Sequence, residues 1–167
     1  MLKKLVVALA VTVLPLLCHS QSRAEVVDVH TPQSPRTFGV ILSALSYLGT
    51  PYKWGGNSIE EGVDCSALVR NVFSSSLGVM LPRTSFEQSM ATLKIDKSDL
   101  MPGDLLFFNT RRRAFSHVAI YIGDGKFVHA PRRGQSVRIE NFFAGYWQKR
   151  FNGARRVEVD QAEAGSV

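Results

Sequence analysis

Apolar residues fall into three regimes along the chain, and each predicts a different kind of element. The first is a block, Leu5 to Leu17, with scarcely a polar interruption. In the second, apolar residues recur every three or four positions. Val40, Ile41, Ala44, Leu45 and Leu48 mark one helix, stopped by Gly49, and Leu68, Val69, Val72 and Phe73 mark another behind Asp64, ending near Leu77-Gly78. A shorter helix is expected over Ser85 to Leu93, after Pro82-Arg83-Thr84. Beyond the turn Met101-Pro102-Gly103-Asp104 the period shortens to two. Leu105 to Phe108, His117 to Ile122, Phe127 to Ala130 and Val137 to Ile139 read as strands separated by Gly, Asp and Arg. Helices first and a strand meander second predict an α+β domain, its N-terminal helices packed on an antiparallel sheet. No internal repeat is visible.

The first block changes the domain count. Lys3 and Lys4 precede it, its 13 residues fall short of a membrane-spanning helix, which needs about 20, and Ser22-Arg23-Ala24 suits cleavage before Glu25. Residues 1–24 are therefore expected to be a secretory signal, which implies a periplasmic, envelope or secreted protein. Cys18-His19-Ser20 offers a second cut. A lipid anchor at Cys18 is the alternative, disfavoured by the bulky Pro15, Leu16 and Leu17. Residues 25–36, with Pro32 and Pro35 among polar neighbours, read as a linker, 37–158 as one domain and 159–167 as a flexible tail.

Export also alters charge and cysteine chemistry. Without Lys3, Lys4 and Arg23 the 20 basic residues fall to 17 against 14 acidic ones, a weak net charge that gives no reason to expect nucleic acid as a partner. The clusters Arg111-Arg112-Arg113, Arg132-Arg133 and Arg155-Arg156 are either solvated loop charge or a surface for an anionic polymer. A monomer is expected. Cys65 is left without a disulfide partner, so it is a buried inert thiol or one retained for reactivity.

A nucleophilic cysteine needs help, because a free thiol with a pKa near 8.5 is only a few per cent ionised at neutral pH. With Asp64 as cap, Cys65 falls in the first turn of its helix, where free N–H groups and the dipole favour an anion. The base must come from His117 or His129, since His30 lies in the linker. Alternation places His117, Ala119 and Tyr121 on one face and Val118, Ile120 and Ile122 on the other. A two-residue Asp124-Gly125 loop would pair His129 with Ile120 and bury it on the wrong face. A three-residue Gly123-Asp124-Gly125 loop, predicted here, pairs it with Ala119 instead, diagonal to His117. Acyl transfer would follow: His117 takes the thiol proton, Cys65 attacks an amide carbonyl, His129 orients His117, and the Cys65 N–H with Tyr52 binds the oxyanion. Singly, each residue has a structural explanation: inert thiol, strand histidine, packing aromatic, helix cap.

Together, the motifs resemble those of the NlpC-type family of papain-like cell-wall cysteine peptidases over roughly Thr37 to Val157. They are Leu48-Gly49-Thr50-Pro51-Tyr52-Lys53-Trp54-Gly55-Gly56, Asp64-Cys65-Ser66, Pro82-Arg83-Thr84, Pro102-Gly103-Asp104-Leu105-Leu106-Phe107-Phe108, Ser116-His117-Val118-Ala119-Ile120-Tyr121-Ile122-Gly123 and Phe127-Val128-His129-Ala130. The resemblance implies a papain-like fold and a Cys65, His117, His129 triad. It also implies that Tyr52 lies beside the nucleophile and that Asp64 and Ser66 border a groove for the peptidoglycan stem peptide. Arg83 and Ser116, within the same motifs, join them as substrate-side candidates. No cofactor or metal is implied. Ala67 departs from the glycine usual after Asp-Cys-Ser. The competing readings are a zinc site on Cys65, His117 and His129, a catalytically silent wall-binding protein, and an acyl-transfer relative acting on lipids or small amides.

Overall fold

The computed structural model describes residues 35–159, so the expected signal segment, Cys18, most of the linker and nearly all of the tail lie outside the described residues. Helix α1 (Pro35–Ser46) starts earlier than expected. Pro35 and Arg36, read above as linker, form its first turn, because proline's fixed φ and missing N–H suit the first helical position. Val40 and Ala44 are buried where α1 meets helix α2 (Cys65–Leu77). The intervening loop carries a small hairpin, β1 (Asn57–Ser58) with β2 (Gly62–Val63).

Two local signals bound α2. Asp64 caps its start, accepting the Ala67 N–H, and Gly78 ends it at φ 70°, a left-handed conformation that glycine adopts without a Cβ clash. Leu68, Val69, Val72 and Phe73 are buried as the stripe predicts. Helix α3 (Ser85–Met90) is shorter than expected. A Thr84–Glu87 capping box starts it, but Leu93 belongs to strand β3 (Leu93–Ile95), whose backbone pairs with a strand too distant in sequence to be foreseen.

That partner is β8 (Phe151–Arg156), one of six strands in an antiparallel sheet ordered β3-β8-β4-β5-β6-β7. The others are β4 (Leu105–Phe108), β5 (His117–Gly123), β6 (Lys126–His129) and β7 (Arg138–Asn141). One sheet face packs on the helices through Leu105, Phe107, Val118, Ile120 and Val128. The opposite face is also covered: Leu106, Phe108, Ala119 and Phe127 meet Phe142 and Trp147, the latter on the one-turn helix α4 (Gly145–Gln148). Helix α4 and β8 carry no periodic signal. Gly153 and three polar residues interrupt β8, and its place between β3 and β4 makes it a strand.

The β5–β6 hairpin reaches the expected register by a different turn. Gly123 pairs with Lys126 across a two-residue Asp124-Gly125 loop with φ values of 50° and 67°, and Ile122 then bulges, restoring Tyr121↔Phe127 and Ile120↔Val128. His129 is thereby set across from Ala119 despite the two-residue loop. A Cβ on Gly125 would meet the Phe143 ring at 2.3 Å, so the turn also depends on close packing there.

Candidate active site

The fold sets Cys65 at the start of α2 and His117 and His129 on the neighbouring strands β5 and β6 of the sheet beside that helix. Cys65 opens α2, which packs on β5, and the backbone N–H of Val118 supports its sulfur. The thiol is 8% exposed and lines a cavity of about 410 Å³ with Trp54, Asp64, Ser66, Arg83, Arg111 and Ser116. Burial pushes its pKa up to about 11, outweighing the Val118 N–H that favours the thiolate, while the neighbouring Asp64 charge raises it further. The resting sulfur is therefore a neutral thiol, not the ionised one expected from its helix position.

The two imidazoles share a face, as the hairpin register requires. His117 Nε2 and His129 Nδ1 lie 2.9 Å apart, the rings nearly perpendicular at 82°. Trp147 stacks on His117 at 5.8 Å, and Phe108 lies 6.2 Å away. Burial, then the coupling to His129 and the Arg111 charge, holds His117 well below the ordinary imidazole range. His129 is also lowered by burial, in part offset by the Glu140 carboxylate.

The sequence pattern, which ends the last strand at Ile139, does not reveal Glu140. Strand β7 runs to Asn141, pairing His129 with Arg138 and Phe127 with Glu140. Alternation along the longer strand would have placed Glu140 on the imidazole face. Its Oε1 lies 3.4 Å from His129 Nε2, an ion-pair distance outside hydrogen-bond geometry, while Trp147 Nε1 and Arg138 donate to the carboxylate. These neighbours, His129 foremost, hold its pKa down at about 2, so it is an anion.

That charge favours one pair of tautomers. With the His129 proton on Nε2, toward the carboxylate, Nδ1 accepts from His117 Nε2–H and His117 Nδ1 is left with the lone pair. The facing nitrogens are committed to each other, and among the described residues no group of three His, Cys, Asp or Glu is arranged to hold a metal.

Buried neutral histidines make stability pH-dependent. The unfolded rings titrate near 6.5 and the folded ones lower. Below about 6.5 the unfolded chain thus binds protons that the folded one refuses, and stability falls with pH until the folded rings protonate. The melting temperature should drop steadily from pH 7 to pH 5, and a flat profile would contradict the buried neutral pair.

The substrate-side candidates divide by task. Asp64 Oδ1 accepts from Ala67 N–H, Ser66 Oγ and Arg83 Nη1, and Oδ2 from Arg83 Nη2 at 2.7 Å and Gly55 N–H at 3.1 Å. Ser116 Oγ accepts from the Thr110 and Arg111 N–H groups, clamping the loop ahead of β5. Tyr52 OH accepts from Arg111 Nη2 at 3.1 Å, and burial raises its pKa, leaving its proton free to donate. Arg111, read above only as part of a charge cluster, also lies 4.1 Å over the Trp54 ring.

Residues 49–156 match the model of the NlpC/P60 family. The chain belongs to the NlpC/P60 family. Among its relatives, the murein DD-endopeptidase MepH of Escherichia coli is 38% identical over 134 residues, covering 78% of this chain and 49% of that protein. The gamma-DL-glutamyl hydrolase of Bacillus subtilis is 38% identical over 120 residues, covering 71% of this chain and 29% of that protein. The chain thus spans about half or less of these relatives' length. A Staphylococcus aureus structure described as similar to a lipoprotein of the NLP/P60 family superimposes with a TM-score of 0.68 at 36% identity, covering 78% of this chain and 44% of that one. The NlpC/P60 domain of the peptidoglycan hydrolase SagA gives 0.62 at 33% identity, covering 72% of this chain and 98% of that domain. The mixed helix and antiparallel-sheet architecture is that of these NlpC/P60 structures.

Proposed function

We propose that this chain is an exported cysteine endopeptidase that hydrolyses amide bonds in peptidoglycan stem peptides or their cross-links. The observation that carries the reading is the 2.9 Å contact between His117, on the strand against which the Cys65 helix packs, and His129 on the strand beside it. A lone buried thiol needs no such pair.

The steps follow from the neutral ground state. His117 Nδ1 accepts the thiol proton as Cys65 Sγ attacks the carbonyl carbon, so no free thiolate need accumulate. The carbonyl electron pair moves to oxygen, where the Cys65 N–H and Tyr52 O–H donate. Collapse expels the amine, which takes the proton back from His117 and leaves a thioester. Water, deprotonated by the same nitrogen, releases the carboxylic acid and regenerates the thiol.

Each imidazolium stage draws on the Glu140 charge through His129. Glu140→Gln should lower kcat on the order of 10²-fold with little change in KM. Because the carboxylate stabilises the imidazolium, its loss should also move the acid limb of the pH–rate profile to lower pH. A slowed enzyme with an unmoved limb would reduce Glu140 to a structural role.

The reading itself is tested by incubating the purified chain with intact peptidoglycan and weighing the soluble products. Fragments ending at a hydrolysed amide support it, and no release, or glycan cleavage alone, overturns it. A catalytically silent wall-binding protein is the second reading, favoured by the raised thiol pKa, and it requires that no fragment appear.

A further inference from the structure

The geometry points to a carboxylate-binding subsite for the leaving half of the substrate, in which Arg132 holds a carboxylate borne on the same carbon as the departing amine. This rests on the endopeptidase reading above and names the substrate class within it.

Arg111 divides the cleft. Its guanidinium, stacked on Trp54 and bonded to Tyr52, lines both the Cys65 cavity and a second one of about 530 Å³. Arg132, Arg138, Glu140 and Trp147 line the second. Chemistry orients the substrate across this division. The base must return its proton to the leaving nitrogen, so the leaving half lies on the imidazole side of the sulfur. Trp147 stacks on His117 and Glu140 contacts His129, so the second cavity is that side.

Three guanidiniums face one carboxylate in this cavity, so positive charge is in excess, and two of the three side chains are already held in place. Arg138 pairs with Glu140, which also accepts from Trp147, and Arg111 is held by Tyr52 and Trp54. None of the ion pairs among the described residues uses Arg132. Its loop is nonetheless anchored: Tyr52 N–H donates to Gln135 O at 2.8 Å, Gly49 N–H to Val137 O at 3.0 Å, and Gln135 N–H to Arg132 O at 3.1 Å. An unpaired fork on a pinned backbone is suited to bidentate capture of a carboxylate.

Wall cross-links differ in this respect. The amine of a diaminopimelate cross-link departs from a carbon that also bears a carboxylate, whereas the side-chain amine of lysine does not. The subsite therefore selects diaminopimelate-type cross-links with that carboxylate free over those with it amidated.

The test uses two purified cross-linked dimers that differ only in that group. The full chain should cut the free-carboxylate dimer with a kcat/KM about tenfold higher, the difference lying in KM. Arg132→Gln should bring the ratio close to one, and Arg133→Gln, which lines neither cavity, should keep it. Equal cleavage of both dimers by the unaltered chain overturns the subsite and leaves the endopeptidase reading standing. So does an equal loss of preference in Arg133→Gln, which would make the effect one of general surface charge. Cleavage of neither dimer removes the reading and the subsite together.

Discussion

Serine in place of Cys65 is expected to reduce kcat/KM on peptidoglycan peptides by on the order of 10⁴-fold or more. The reason lies in the match between acid and base. His117 is held well below the ordinary imidazole range, so it is a weak base. It can take a proton from a thiol only as attack proceeds, and a serine hydroxyl is several pKa units less acidic again, even against a thiol raised to about 11. Sulfur also attacks a carbonyl more readily at a given proton loss. Whatever activity survives would come from the oxyanion donors and substrate positioning alone, which do not depend on the sulfur. The measurement is the rate of fragment release by chromatography, with melting temperature and binding to peptidoglycan recorded alongside. Unchanged binding and melting with the rate lost would isolate chemistry, while an undiminished rate would place the nucleophile elsewhere.

Loss of the Asp64 carboxylate is expected to have the largest effect on stability. Asp64→Ala should lower the unfolding free energy by about 3 kcal/mol, of which the helix cap accounts for about 1 kcal/mol. The remainder comes from Arg83, whose two Nη groups both donate to Asp64 and would lose that carboxylate partner. Asp64→Asn keeps an acceptor for the Ala67 N–H and should forfeit roughly half as much. Urea midpoints measure both, and equal losses in the two variants would mean that the charge contributes nothing. Burial alone would raise the Asp64 pKa, but the Arg83 and Ala67 hydrogen bonds outweigh it and the net shift is downward. Its contribution is thus present above the usual carboxylate pKa and fades as pH falls through the lowered one. Removing this charge should also bring the Cys65 thiol pKa down, because Asp64 opposes the thiolate.

The parts of the site that lie close together in the chain could be read from it. Asp64 and Cys65 are adjacent, and a capping residue ahead of an apolar stripe states where a helix begins. His117, Ala119 and Tyr121 follow from strand alternation, and the pairing of His129 with Ala119 follows from the face that the hairpin buries. The turn does not: it has two residues and a bulge where the sequence predicts three. Glycine at 123 and 125 permits either loop, and only the bulge at Ile122, set by packing on both faces of the sheet, decides between them.

What the chain alone determined was therefore the order and type of most elements, the faces of β5 and the pairing of His117 with His129, because short-range sterics and hydrogen bonding leave a period of two or 3.6 in the sequence. Tertiary structure decided the rest. Arg111 meets Tyr52 across 59 residues, Glu140 reaches His129 only when β7 runs its full length, and β8 becomes a strand by lying between β3 and β4. The ionisation of the site belongs to the same class. A helix start favours a thiolate by less than about 1 kcal/mol, and burial, which no local pattern reports, outweighs it and favours the neutral forms of Cys65 and His117.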